Sequence, residues 1–175
     1  MGEIKFEKVS FKQFKYDLER DVIKWNTKMF TDTEIEDIYY SIKLPERSTK
    51  GSAGFDFFAP YSQKAFKDTR YNIMLTGIKA KMPKDVVLIL LPRSSLAVKN
   101  SFTLVNTTGI IDSDYYNNEQ NEGHIKCMYR AKNLLIEKGD KFMQGIFLNY
   151  KTTNEEITPE KIRVGGFGST TEKGE

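Results

Sequence analysis

Residues 109 to 119 read Gly-Ile-Ile-Asp-Ser-Asp-Tyr-Tyr-Asn-Asn-Glu: two β-branched residues lead into paired acids and then a pair of aromatic rings. A strand signal that runs into acids and turn-formers predicts a β-hairpin with a carboxylate and a ring at its mouth. Aspartate carboxyls ordinarily titrate at about 3.9, so a carboxylate placed there can take a proton from water at neutral pH, although it is a weak base. A plain solvated turn would look the same in isolation. A calcium loop is excluded by spacing, because its fifth position would be Tyr116 and its sixth, which requires glycine, is Asn117.

Four further stretches stand out from their surroundings. They are Ala53-Gly54-Phe55-Asp56, Pro92-Arg93-Ser94-Ser95-Leu96-Ala97, Lys138-Gly139-Asp140-Lys141-Phe142-Met143-Gln144 and Gly165-Gly166-Phe167-Gly168-Ser169-Thr170. Each alone has a structural explanation: a bulge glycine, a strand-ending proline, a hairpin turn, a linker. The glycine-rich stretch lacks the Gly-Lys-Ser/Thr ending of a Walker loop and the spacing of a Rossmann loop.

The elements that must position these groups are mostly strands. From Ile38 onward short β-type runs alternate with turn residues, over 38–44, 71–82, 86–91, 101–111, 124–130, 134–136 and 142–150. Val86 to Leu91 is apolar throughout and is expected to be buried on both faces. Many short strands without intervening helices predict a mainly β sandwich, jelly roll or barrel. Before them, Phe11, Phe14, Leu18, Val22, Trp25 and Met29 recur at spacings of three and four, an apolar stripe on a helix of roughly 28 Å. Ser10 with Gln13 is a capping-box pattern, and Val9 with Phe14 a hydrophobic staple. Three segments are therefore expected: a helical extension over 1–37, a β core over 38–162, and a mobile glycine-rich arm over 163–175.

The 175 residues suffice for one domain with a real core. A net charge of +3 with no dense basic run disfavours duplex nucleic acid as a partner, while a small, strongly anionic ligand needs only a few cations. One cysteine, Cys127, forbids an internal disulfide and suits a reducing compartment. With the single histidine, His124, it cannot build a zinc site from this chain, so any metal is expected to be a hard ion such as Mg²⁺ held largely by phosphates. Cys–His catalysis is disfavoured too, since the two lie three apart in a predicted strand and point to opposite faces. There is no apolar run long enough for a membrane, no signal peptide, and Phe6 stands where a myristoylation signal needs Ser or Thr. A cytoplasmic location is expected.

Taken in order, the five stretches resemble the motifs of the homotrimeric deoxyuridine triphosphatase (dUTPase) family, over roughly residues 38 to 170. The resemblance implies a jelly-roll-like β-barrel subunit, a homotrimer, and hydrolysis of dUTP to dUMP and pyrophosphate with Mg²⁺. It implies active sites that draw on all three chains and are closed by the last motif. On that resemblance Asp112 orients and deprotonates the attacking water. Arg93 and Ser94, with Ser95 beside them, clamp phosphates, and Gln144 adds a polar contact. Asp56 holds the magnesium through its bound waters. Tyr115 packs under the deoxyribose and leaves no room for a 2′-hydroxyl. Asn106 and the hairpin backbone, from Gly109 to Ile111, read uracil, with Lys126 a further candidate across the hairpin. Phe167 stacks on the base, and Gly168, Ser169, Thr170 and Arg163 approach the phosphates.

Four features depart from the family pattern. Ser95 replaces a more usual glycine. Asn117 to Glu122 are extra residues without an assigned role. Arg163 lies one residue closer to Gly165 than is common, and the segment before residue 38 is additional. It could cover the trimer surface or bind a protein partner. The competing readings are a dCTP deaminase of the related fold, for which no general-base glutamate stands out, and a nucleotide-regulated protein-binding module.

Overall fold

The computed structural model describes residues 2–23, 30–65 and 70–153. Trp25, Met29, Arg163, Phe167, Gly168, Ser169 and Thr170, and the whole of the expected arm, lie outside the described residues.

The N-terminal segment is not helical from its start. Lys5–Lys8 is a strand, β1, and only then comes helix α1, Phe11–Asp17. The helix continues as a π-helical turn over Leu18–Ile23. Phe14, Leu18 and Val22 of the apolar stripe are buried, as its spacing requires. Ser10 caps α1 by accepting from the Gln13 N–H, but the reciprocal half of the capping box is missing. The Gln13 amide instead reaches Asp17, and the Ser10 N–H and hydroxyl both donate to Glu122, at 2.8 and 2.6 Å.

Residues 38–44 do not form the expected strand. Helix α2 runs over Asp32–Tyr40, because Thr31 and Glu34 make a complete capping box that starts it two turns upstream. Ile35 and Ile38 turn one face of α2 into the core, and tertiary packing overrides the β preference of Ile38-Tyr39-Tyr40.

The remaining elements are β2 (Phe55–Phe58), β3 (Gln63–Lys64), β4 (Asn72–Leu75), β5 (Ile78–Lys81), β6 (Val86–Pro92), helix α3 (Ser94–Asn100), β7 (Thr103–Leu104), β8 (Gly109–Ile111), β9 (Lys126–Arg130), β10 (Leu135–Ile136) and β11 (Lys141–Asn149). A four-stranded antiparallel sheet in the order β2-β11-β6-β8 faces a three-stranded sheet, β4-β9-β7, and two-stranded pairs β1-β5 and β10-β3 complete the layers. This is a mainly β, jelly-roll-like fold.

Strand β6 departs from the expectation of burial on both faces. Val86, Leu88 and Leu90 point into the core, whereas Val87, Ile89 and Leu91 are only half-buried on the outer side. Strand β11 carries a bulge between Lys141 and Met143. Consecutive residues Phe142 and Met143 are consequently both fully buried, and Lys141 and Gln144 both face outward although they are three apart.

The extension is locked to the barrel by one buried acid. Asp17 accepts from His124 Nδ1 at 2.6 Å and from the Lys126 ammonium at 2.7 Å, and Lys126 also reaches Asp21 at 2.8 Å. On its other side His124 Nε2 accepts the Gly77 N–H at 2.9 Å, which fixes a neutral ring protonated at Nδ1. Gly77 itself needs to be glycine: its φ is +70°, and a Cβ there would lie 2.3 Å from Ile42 Cδ1. Burial pushes the His124 pKa below its ordinary value. Burial alone would raise the Asp17 carboxyl, but the bond from His124 and the Lys126 charge outweigh it and hold that carboxyl well below the usual range.

Both shifts act in one direction. The unfolded chain takes up a proton on histidine more readily than the folded one, so this stability is whole above the unfolded pKa of about 6.5 and falls as the pH drops from there. The Asp17 contribution is lost further down, as the pH falls below about 3.9 toward its depressed value. Denaturant titrations between pH 8 and 5 are expected to show a plateau and then a decline. A gain of stability on acidification through pH 6 would contradict a neutral His124.

Candidate active site

Two cavities collect the predicted residues, and they lie on opposite faces of one sheet. The first, of about 240 Å³, opens between the β6–β8 side of the four-stranded sheet and strand β9. Asn106, Gly109, Ile111, Tyr115 and Lys126 line it together with Leu90, Cys127 and Met143. Gly109 pairs with Leu90 across β8 and β6, and a Cβ on Gly109 would meet Leu90 Cβ at 3.0 Å, so glycine permits the close strand approach that forms this wall. Burial pushes the Cys127 thiol up, which makes it a poor nucleophile.

Tyr115 is held as a fixed wall. Its chain belongs to a 3₁₀ turn over Ser113–Tyr115, which Asp112 precedes in extended conformation, and its N–H donates to the Asp112 carbonyl at 3.1 Å. Its hydroxyl donates to the His124 carbonyl at 3.0 Å and accepts from the Asn121 amide at 2.8 Å. Asn118 in turn donates to the Tyr115 carbonyl and to Asn121 Oδ1. The segment Asn117–Glu122, for which no role was expected, is thus a hydrogen-bonded frame of the hairpin mouth built on the buried Asn118 and Asn121, with Asn117, Glu119 and Gln120 exposed. Gly123, at φ +80°, packs where a Cβ would lie 2.5 Å from the Tyr115 carbonyl oxygen. Asp112, next to Ile111, is half-buried.

Lys126 lines this cavity, yet its ammonium is committed to Asp17 and Asp21 and its side chain is only 4% exposed. It supports the wall and does not reach into the space as a base-reading donor. Sequence reasoning missed this, since its partners lie more than a hundred positions away and no local pattern announces them.

The second cavity, of about 290 Å³, is polar and lined by Ser48, Ser52, Ala53, Gly54, Asp56, Arg93, Ser94 and Gln144. It joins three of the predicted motifs. Asp56 and Gln144 are register partners on β2 and β11, and the bulge puts Lys141 on the same face. Asp56 accepts from Arg93 Nε at 3.1 Å, from the Lys141 ammonium at 3.0 Å and from the Ser48 hydroxyl at 2.6 Å. Burial works to raise its pKa, but the Ser48 and Lys141 bonds and the Arg93 charge prevail and lower it. Arg93 Nη1 also donates to the Lys141 carbonyl, which sets the plane of the guanidinium. Gln144 donates to the Pro92 carbonyl at 3.1 Å. Arg93 follows β6 and stands at the N-cap position of α3, without a side-chain cap, so Ser94 and Ser95 fall in the first turn of that helix; Ser94 lines the polar cavity and Ser95 a neighbouring one with Arg93 and Lys141.

Met143, in the wall of the first cavity, and Gln144, in the wall of the second, are adjacent on β11 and point to opposite faces.

Against this geometry the family comparison is direct. The dUTPase family model matches residues 40–171. The chain belongs to the dUTPase family. A deoxyuridine 5′-triphosphate nucleotidohydrolase of Lactococcus lactis subsp. lactis (strain IL1403) is 40% identical over 133 residues, which cover 74% of this chain and 88% of that protein. The crystal structure of dUTPase from Streptococcus mutans superposes with a TM-score of 0.63 at 29% identity, covering 85% of this chain and 98% of that one. The dUTPase from phage phi11 of S. aureus, whose structure is described as revealing coordination of a structural Mg(II) ion, shares the fold at 19% identity and a TM-score of 0.51, over 72% of this chain and 92% of its own. The two-helix segment before residue 40 lies outside the family match.

The shared carboxylate of the polar cavity can be tested alone. In Asp56→Ala, Arg93 and Lys141 face each other without their common counter-charge. Both cations are about a third exposed, so the expected loss is only about 1 kcal/mol, or about 2–4 °C in Tm at low ionic strength. About 0.5 M salt should recover most of it by screening. Equal melting of variant and wild type at low salt would show that the pairs contribute nothing.

Proposed function

We propose that the chain hydrolyses dUTP to dUMP and pyrophosphate, by attack of water on the α-phosphate, in a homotrimer whose active sites are shared between chains. The activity rests on family membership and on the named nucleotidohydrolase relative. The observation that carries the shared site is the opposition of the two cavities. One is apolar with a polar corner, of nucleoside type; the other holds Arg93 and Ser94 and is suited to phosphates. In this reading a triphosphate nucleotide that uses both draws them from two chains.

The outward face of the four-stranded sheet supports the same assembly. Val87, Ile89, Leu91, Ile110, Ile146 and Leu148 form contiguous apolar rows through the register of β6, β8 and β11. These rows run directly into the polar cavity at Leu91 and Gln144, so a neighbouring copy that covers them is also brought beside the phosphate groups.

In this reading Asn106 and the backbone of Gly109–Ile111 hold the uracil edge, and Tyr115 walls off the 2′ side of the sugar. A pocket that pairs buried donors and acceptors with uracil leaves them unpaired against cytosine, a penalty of up to about 10⁴–10⁵ in specificity. Asp112 orients the water and receives its proton. Arg93, Ser94 and Gln144 meet the phosphates, and the guanidinium neutralises charge that grows on the oxygens as the bond to the leaving pyrophosphate breaks. Arg163, Phe167, Gly168 and Ser169 would complete and cover the site.

Mg²⁺ suits the donor set. No cluster of three or more acids, histidines or cysteines able to hold a metal occurs among the described residues, so such an ion would take most of its oxygens from phosphates and water. Asp56, depressed in pKa and already bonded to two cations, fits contact through water better than direct ligation. When bound, the ion would neutralise triphosphate charge and hold the leaving group. No described helix is long and apolar enough to cross a membrane.

An assay of all nucleoside triphosphates decides the substrate: pyrophosphate is expected from dUTP alone, whereas ammonia from dCTP would reinstate the deaminase. Asp112→Asn should lower kcat by about 10²–10⁴ while dUTP binding survives, as expected for a group that acts on water. Lost binding with intact turnover per bound substrate would remove Asp112 from that role.

A further inference from the structure

The segment preceding the family core packs against the back of the nucleoside cavity. We propose that Asp17 and Glu122 are positioning residues through which the N-terminal helix holds the wall of the nucleoside cavity, Asp17 by way of His124 and Lys126, and Glu122 by way of Ser10. The proposal rests on the assignment of that cavity to the deoxyuridine moiety.

The connection runs through a few bonds. Asp17 is fully buried, and its two oxygens bind the two residues that begin the far side of the hairpin, His124 and Lys126. His124 presents its carbonyl to the Tyr115 hydroxyl, so the ring that lines the cavity is fixed through the acid on α1. Lys126 lines the same cavity while its ammonium is drawn back to Asp17 and Asp21. The second anchor lies at the other end of α1. Glu122 closes the Asn118–Glu122 frame, where its N–H donates to the Asn118 carbonyl at 3.0 Å, and its carboxylate caps Ser10. Both ends of α1 thus grip the loop that carries Tyr115. A hydrophobic helix docked only for stability would not require a carboxylate at each of its two contacts with the hairpin, Asp17 on the helix and Glu122 on the loop, because burying an acid such as Asp17 is costly unless every oxygen is matched.

Asp17→Asn keeps the shape of the side chain but can accept only on one atom, so either His124 Nδ1–H or the Lys126 ammonium must face an amide donor. The test measures dUMP affinity by calorimetry, together with KM and kcat for dUTP, at a temperature where circular dichroism shows the variant folded. Expected are dUMP binding weakened and KM raised by about tenfold, with kcat within about threefold of wild type, since a small displacement of a binding wall costs on that order. Unchanged dUMP affinity and KM in folded Asp17→Asn would overturn the proposal, whatever happens to Tm, as would a fall confined to kcat. If Asp17→Asn does not fold, Glu122→Asn decides: asparagine tolerates the left-handed backbone there (φ +56°) but is too short to cap Ser10. It should weaken dUMP by about threefold, and no change would overturn the proposal. Asn106→Ala separates the two levels. If wild type does not bind dUMP, or Asn106→Ala binds it as wild type does, the assignment of the cavity fails and takes the proposal with it.

Discussion

A carboxylate sealed from water has to be matched oxygen by oxygen, and Asp17 meets that demand with groups drawn from distant parts of the chain. Lys126 begins β9 and His124 lies two residues before it, and Gly77, at the β4–β5 turn, satisfies the far side of the imidazole. Three elements are thereby fixed relative to one another by a single buried acid. Breaking such a set by removing one member leaves the others buried and unpaired, which costs far more than the set contributes over an apolar replacement. The arrangement therefore specifies geometry more than it supplies stability.

The central sheet imposes the second constraint. Strand side chains alternate, so a strand that contributes to a packed core must show its remaining residues to the outside. Here the inward residues of β6, β8 and β11 shape a nucleoside-sized space, and the outward ones carry an acid–cation cluster and apolar rows. On the proposed assignment, base and phosphates are recognised on two different surfaces, and association of copies is the economical way to reunite them.

Much of the candidate site was legible because its signals are short-range. Arg93-Ser94, Asp56 and the Gly109–Tyr115 stretch are local patterns, and each appears in a cavity wall or beside one. The core strands were legible for the same reason. What escaped depended on longer-range or weaker information. Helix α2 had an available signal in Thr31 and Glu34, overshadowed by the β-type run at Ile38-Tyr39-Tyr40. Helix α3 is seven residues long, too short for periodicity to show, and ends at Ser101 in a left-handed conformation that no glycine announces. The true partners of Lys126 and the purpose of Asn117–Glu122 belong to tertiary structure alone. The extension also contributes β1, paired with β5 from Lys5 opposite Lys81 to Lys8 opposite Ile78, which no helical pattern could foretell.

The bulge in β11 has an implication for how such a chain can vary in length. Deleting Phe142 or Met143 would restore regular alternation with Lys141 and Gln144 still outward, at the cost of one of two fully buried core side chains. A change of length between Lys141 and Gln144 therefore costs core packing, in a strand that also carries Gln144 into the wall of the polar cavity. The turn at Glu137–Asp140 is held in another way: Gly139 has φ +89°, its N–H donates to the Ala59 carbonyl, and the Ala59 N–H donates to the Asp140 carbonyl, so the chain is pinned on both sides of the turn.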